Sequence, residues 1–195
     1  MTYSYTIVGL GNPGREYENT RHNIGRVVLE KLRELKAFSD WSSDKYSKSL
    51  ITKGMMDNRE VVLVEPDNYM NNSGTSVKYF VKSEKGAENL IVVHDDIHLP
   101  LGEIKISYGK GSGGHNGIKS IIKHIGTKNF TRVRIGIAQK NIFGKMKKQR
   151  DQSKFVLNKF ATREEKTVQE ISQKAAQAIE MIVKEGREKA SNKFN

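Results

Sequence analysis

Five polar side chains, Asn12, His22, Asn71, Asp95 and Asn116, lie far apart in the chain but in similar settings. Four follow a segment that reads as a β-strand. Asn12 follows "YTIVGL", Asn71 follows "VVLVEPDNYM", Asp95 ends "NLIVVHD", and Asn116 lies in "GSGGHNG" after "EIKISY". His22 falls in the same strand-to-helix connection as Asn12. Open α/β sheets bind ligands in the crevice outside the carboxyl ends of their strands, so the five are expected on one rim. Their chemistry is coherent. An imidazole can take a proton from water near neutral pH. A carboxylate that accepts the other ring N–H fixes the tautomer and steadies the imidazolium. Neutral amides suit the gripping of amide groups and of a developing oxyanion. The chain has no cysteine and no activated serine is evident, so direct attack by water is the economical mechanism. Each residue also has a plainer reading: a turn at Asn12 before Pro13-Gly14, helix N-caps at Asn71 and Asn116, a strand-end loop at Asp95.

The glycines around these residues raise a different chemistry. Gly9, Gly11 and Gly14 form a literal G-x-G-x-x-G, and Gly109, Gly111 and Gly114 form another. A dinucleotide site needs a helix opening directly on the turn and an acidic residue about 20 positions on, at the end of the next strand. Pro13 interrupts the first turn, Glu30 and Glu34 fall within a helical pattern, and the strand after the second motif ends in "IAQK". A nicotinamide or flavin cofactor is therefore not expected. "HDDIH" offers His94, Asp95, Asp96 and His98 as ligand types, but neighbours in a strand point to opposite faces and no second cluster completes a site. No metal is expected.

The elements that must hold the rim follow from periodicity. Ile24, Val27, Val28, Leu32 and Leu35 mark an amphipathic helix with Asn23 as candidate N-cap. "SLITKGMM" and "REVVLVEP" flank Asp57-Asn58 as a hairpin, which makes the sheet mixed. A helix over 73–83, a helix near 116–125 and the strand "RVRIGIA" follow. A basic, mobile connection spans 139–154. A last helix covers about 162–190, opened by a capping-box spacing at Thr162 and Glu165. At 195 residues one core is the default. The expected fold is a single-domain α/β three-layer sandwich, a mixed sheet with helices on both faces.

Thirty-four Lys and Arg against 22 Asp and Glu give a net charge of +12 and a pI near 9.7, the footprint of a polyanionic partner such as nucleic acid. The longest aliphatic runs, "LIVV" and "VVLV", are too short to span a bilayer, and "MTYSYTIV" has no positive n-region. No membrane association is expected, and the expected compartment is the cytoplasm.

With these residues in view, the chain resembles the bacterial-type peptidyl-tRNA hydrolases over essentially its full length. The resemblance is carried by "VGLGNPG", "YENTRHNIG", "PDNYMNNSG", "HDDIHLPLG", "GSGGHNGIKSI", "RVRIGI" and "FVLNKF". It implies a metal-independent, monomeric enzyme that hydrolyses the ester between a peptide and the 3′ ribose of tRNA. Position by position, it implies that His22 activates water and that Asp95 holds His22 in its basic form. It implies that Asn12 distinguishes blocked peptidyl-tRNA from free aminoacyl-tRNA. Tyr17, Tyr69, Asn71 and Asn116 would contact the substrate, with Met70 lining the site. Lys105, Arg134 and the segment "KMKKQR" would meet phosphates. The chain departs from the family where Glu65 stands for a usual Lys, Asn68 for Thr, Ser107 for a basic residue and His98 for a common acid. Lys140, Lys145, Lys147, Lys148, Arg150, Lys154 and Lys159, opposed only by Asp151, compensate for the missing charge. The alternative is a non-catalytic, splicing-factor-like RNA-binding relative of the same fold, which would need the basic surface but not the base.

Overall fold

Asp57 and Asn58 make the tightest local decision in the chain. Both take positive φ, 49° and 60°, a conformation that Asp and Asn tolerate better than most residues. Met56 and Arg59 therefore meet across a two-residue turn. The strands so joined are β3 (Ser49–Met56) and β4 (Arg59–Pro66). In this computed structural model, which describes residues 4–140, 143–147 and 149–195, they belong to a seven-stranded sheet. The other strands are β1 (Tyr5–Gly9), β2 (Ser42–Asp44), β5 (Leu90–Pro100), β6 (Ile104–Tyr108) and β7 (Thr131–Ala138), in the order β2-β3-β4-β1-β5-β7-β6. β4, β1, β5 and β7 are mutually parallel, and antiparallel strands flank them on both sides. The sheet is mixed, as the hairpin requires.

Strands buried on both faces read as unbroken apolar runs, and "VVLV" and "LIVV" are such runs. Ile7, Leu63, Ile91 and Val93 pack toward α1 (Ile24–Leu35), α6 (Thr162–Glu185) and α7 (Arg187–Phe194). Val8, Val62, Val64 and Val92 pack toward α2 (Ser73–Val77), α3 (Glu84–Ala87) and α4 (Asn116–Ile125). This is the expected three-layer sandwich. No helix among the described residues is long and apolar enough to cross a membrane.

The first glycine motif serves packing. A Cβ on Gly9 would lie 2.6 Å from the Gly25 carbonyl oxygen, and one on Gly25 would lie 2.6 Å from the backbone nitrogen of Leu10. The start of α1 thus rests directly on the end of β1, and that contact sets the position of the turn at residues 21–23.

Several elements differ from the periodicity. The helix expected over 73–83 ends at Val77. Tyr79 and Phe80 close i→i−3 bonds to Ser76 and Val77, and Ser83 then caps α3 through Gly86 N–H. The C-terminal helix expected over 162–190 divides at Gly186, whose φ of 91° is outside the helical range. In place of the expected Thr162 and Glu165 box there is half of one, a residue earlier: the Glu164 carboxylate accepts Ala161 N–H at 2.8 Å, and the Ala161 methyl returns no bond. Leu35 is exposed, at the end of the apolar stripe. Asn23 occupies the cap position but makes no cap bond, because its amide is engaged with Asn12. Strand β5 runs past Asp95 to Pro100, with a register shift between Asp96 and Pro100. The expected 139–154 connection holds an isolated bridge, Lys140 to Met146, and the start of α5 (Gln152–Leu157); Lys148 lies outside the described residues.

At the end of β4, Glu65 is buried with Arg26 4.0 Å away. Arg26 also donates to the Pro66 carbonyl. Burial pushes the Glu65 carboxyl up to about 7, against the pull of Arg26 and with a push from Glu30.

Two outcomes follow from these contacts. Gly25→Ala forces a Cβ into backbone atoms and should destabilise the protein by about 1–3 kcal/mol, read as a lower urea midpoint at unchanged m-value. Glu65 binds its proton more tightly folded than unfolded, so its contribution to stability falls as pH rises from about 4.3 to about 7. Relative to wild type, Glu65→Gln should gain stability across that window; a difference that stays constant with pH would contradict the assignment.

Candidate active site

Asp95 sits in β5 with its side chain directed to the α1 face, next to the backbone contact between Gly9 and Gly25. Its Oδ1 accepts two hydrogen bonds, from His22 Nδ1 at 2.8 Å and from His115 Nε2 at 2.9 Å. His22 arrives on the single 3-10 turn Arg21–Asn23 ahead of α1. His115 arrives from the opposite layer, at the N-cap of α4. A carboxylate only accepts, so His22 carries its proton on Nδ1 and its Nε2 is left for substrate. The His115 Nδ1 accepts from Gly117 and Ile118 N–H, which assigns its proton to Nε2. Burial pushes the Asp95 carboxyl up, but His22 and then His115 outweigh it and hold the group well below the usual carboxylate range. The two imidazoles thus hold Asp95 as an anion.

The turn bearing His22 is pinned from behind by Arg21. That guanidinium lies between the rings of Phe155 and Phe160, 4.9 and 4.8 Å from their centroids. It donates to the Ile137 carbonyl at 3.2 Å and to Glu164 at 2.6 Å. On the other side, Asn23 and Asn12 exchange two bonds of 2.9 Å between side chain and backbone. The Asn12 Oδ1 then accepts Met70 N–H at 2.8 Å, which leaves its Nδ2 as the donor for an incoming group.

Of the residues expected on one rim, Asn12 stays beside the others, bonded to Asn23 next to His22 and to Met70, which packs on Gly117 next to Asn116, although it also borders a second hollow. His22, Asp95, Asn116 and Arg134 line a cavity of about 450 Å³ under the glycine loop 109–114. Asn12 lines the second hollow with Asn23, Arg26 and Glu65. Close to Asn12, Tyr69 meets Tyr17 edge-on, with ring centroids 6.3 Å apart. Met70 is buried against Gly117, whereas Asn71 is exposed on its 3-10 turn. Asn116 is not the N-cap it could have been; His115 takes that place. Lys105 is exposed on β6, paired across the sheet with Arg134. Arg134 itself is held by Asp96 at 2.6 Å, so part of its charge is spent within the protein.

Sequence reasoning missed His115 and Arg21. The signal for His115 was its place just before the α4 pattern, where a side-chain acceptor was required. Arg21 had no signal, because its partners lie far away in sequence. Among the described residues, His22, Asp95 and His115 also bring three potential metal-ligand atoms within 4.8 Å of one another. A cation there would have to displace the protons that now join the rings to Asp95.

A sequence model of the peptidyl-tRNA hydrolase family matches residues 6–195. The peptidyl-tRNA hydrolase of Thermodesulfovibrio yellowstonii is 42% identical over 193 residues, covering 97% of both chains. That of Aquifex aeolicus is 43% identical over 174 residues, covering 89% of this chain and 86% of the relative. The crystal structure of the Acinetobacter baumannii peptidyl-tRNA hydrolase is 32% identical, covers 100% of this chain and 96% of that one, and superposes with a TM-score of 0.87. Agreement at this level across sequence and fold has one consequence: this chain belongs to the peptidyl-tRNA hydrolase family.

Proposed function

We propose that this chain hydrolyses the ester joining a peptide to the 3′ ribose of tRNA, with His22 as the general base and a water molecule as the nucleophile. The observation that carries this reading is the Asp95 carboxylate, which accepts the hydrogen bond of His22 Nδ1–H and so keeps that proton on Nδ1 and leaves Nε2 free to receive another. Water loses a proton to Nε2 as its oxygen bonds to the ester carbonyl carbon. The tetrahedral oxyanion is steadied by neutral donors, for which the Asn12 Nδ2 and the Asn116 amide are the candidates. The bond to the 3′ oxygen then breaks, the imidazolium returns its proton to that oxygen, and a tRNA 3′-hydroxyl leaves with a peptide carboxylic acid, which gives up its remaining proton to solvent.

Asn12 also separates blocked from free aminoacyl esters, since a donor fixed beside the two tyrosines can meet a peptide carbonyl that a free amine lacks. Tyr17, Tyr69 and Asn71 contact the peptide, and Met70 forms part of the wall. Lys105, Arg134 and the basic residues of the 139–154 segment meet phosphates. The chain acts in the cytoplasm as a monomer, because a single copy supplies His22, Asp95, His115 and Asn12 together. No cofactor takes part in these steps.

His22→Ala should lower kcat for N-acetyl-aminoacyl-tRNA by at least about 10²–10⁴, while tRNA affinity measured by filter binding stays near wild type. Cleavage at the wild-type rate would refute the role of His22. Phosphate-driven affinity should fall by about 10³ between 50 and 200 mM salt, the lower end for a site with 6–10 phosphate contacts, because Asp96 already engages Arg134. A response flat in salt would remove the electrostatic part of the proposal.

A further inference from the structure

The floor of the cavity beside His22 contains groups that the hydrolytic steps leave unused. It is laid by His94 of β5, Arg132 of β7 and Ser107 of β6. All three point to the sheet face under the glycine loop, opposite to Val93, Val133 and Ile106. His94 is 4% exposed. Its Nδ1 is bonded to the Asp95 carbonyl at 2.7 Å, and because a carbonyl can only accept, the ring proton lies there. Nε2 is thus a bare acceptor, and it is buried with no hydrogen-bond partner among the described residues. The Ser107 hydroxyl is in the same condition. Buried polar atoms are nearly always satisfied, so an orphaned one calls for an explanation. The unpaired Nε atoms of Arg21, Arg26 and Arg132 differ in kind, since each belongs to a guanidinium whose other nitrogens are bonded.

Arg132 closes the floor. Its terminal nitrogens hold the carbonyls of Lys110 and Gly111, which brings the glycine loop over His94. The loop gives the cavity a wall almost without side chains, and Cβ atoms added at Gly111, Gly113 or Gly114 would meet nothing within 4 Å. The His94 ring is 4.7 Å from that of His115, which is 5.0 Å from that of His22. Counted ring to ring, one imidazole, that of His115, separates His94 from His22. Burial, then His115, holds His94 neutral, so it remains an acceptor.

We propose that this floor is a subsite for the nucleoside at the tRNA 3′ end, in which His94 Nε2 accepts a hydrogen bond from an O–H or N–H group of that nucleoside. The inference rests on the hydrolase reading above, which places the 3′ ribose beside His22. A phosphate has no donor to offer Nε2. The terminal nucleoside has two kinds, a ribose hydroxyl on the carbon next to the ester and a base amine at the far edge of the same nucleoside. Ser107 has a short side chain and leaves the space open.

The experiment uses full-length protein and three peptidyl-tRNAs, ending in adenosine, in 2′-deoxyadenosine, or in the purine riboside that lacks the exocyclic amine. Each kcat/KM is divided by the alkaline hydrolysis rate of the same ester, which removes intrinsic reactivity. Wild type should cleave one of the two analogues about 2- to 10-fold less well than the adenosine substrate, and the affected analogue identifies the donor. His94→Leu should lose a similar factor on the adenosine end and nothing on the affected analogue, and His94→Gln, which returns an acceptor near the same place, should recover part of the loss. Equal wild-type values on all three ends, or a Leu deficit of the same size on all three, would overturn the subsite and assign Nε2 to a buried water. Should His94→Leu fail to fold, the wild-type series decides alone. If wild type cleaves none of the three, the hydrolase reading falls with the subsite; cleavage of all three at one rate removes only the subsite.

Discussion

A single oxygen atom, Oδ1 of Asp95, receives an imidazole N–H from each of the two helical layers that cover the sheet. One histidine precedes α1 and the other caps α4, so the sandwich has to close on both sides before either ring is placed. Folding and assembly of the base are in this sense one event. The two imidazoles that face the carboxylate favour its ionised form in a buried setting; it fixes the His22 tautomer in return, and with the Gly117 and Ile118 amides it fixes that of His115. The backbone contact between Gly9 and Gly25 fixes the turn that carries His22, and no side chain could stand between them.

Much of this was legible in the chain. Ile24, Val28 and Leu32 announced the face of α1, the Asp57-Asn58 pair announced the hairpin, and the unbroken aliphatic strands announced a sheet covered on both sides. The rim rule brought His22 and Asp95 together across 73 positions, because strand ends in an α/β sheet converge whatever their separation in sequence. Its limit shows in Asn71, which is left on an exposed turn. Strand ends share an edge, but local turns decide where each side chain goes. His115 was missed because helix starts are searched for Ser, Thr, Asp and Asn, whereas an imidazole lone pair satisfies the same amides. The break at Gly186 was overlooked because apolar periodicity runs up to it and tertiary packing resumes beyond it.

The basic surface is less freely available than the net charge suggests. Arg21, Arg26 and Arg132 are committed to carbonyls or carboxylates within the protein, where they hold loops, and Arg134 is committed in part, through its bond to Asp96. The cations left for phosphates are mainly lysines such as Lys105, Lys110 and Lys119, exposed on β6, the glycine loop and α4. Arginine, with its planar fork, is suited to bridging several acceptors inside a fold. Compact ammonium groups outside make contacts that form and break with little rearrangement.

The Arg21 guanidinium, stacked between Phe155 of α5 and Phe160, has a mechanical corollary. The same α5 supplies Gln152, Ser153 and Val156 to the cavity wall. One short helix therefore borders the cavity with one set of side chains and, with Phe155, meets the guanidinium next in sequence to His22, so the wall of the cleft and the seat of its proton acceptor share a support.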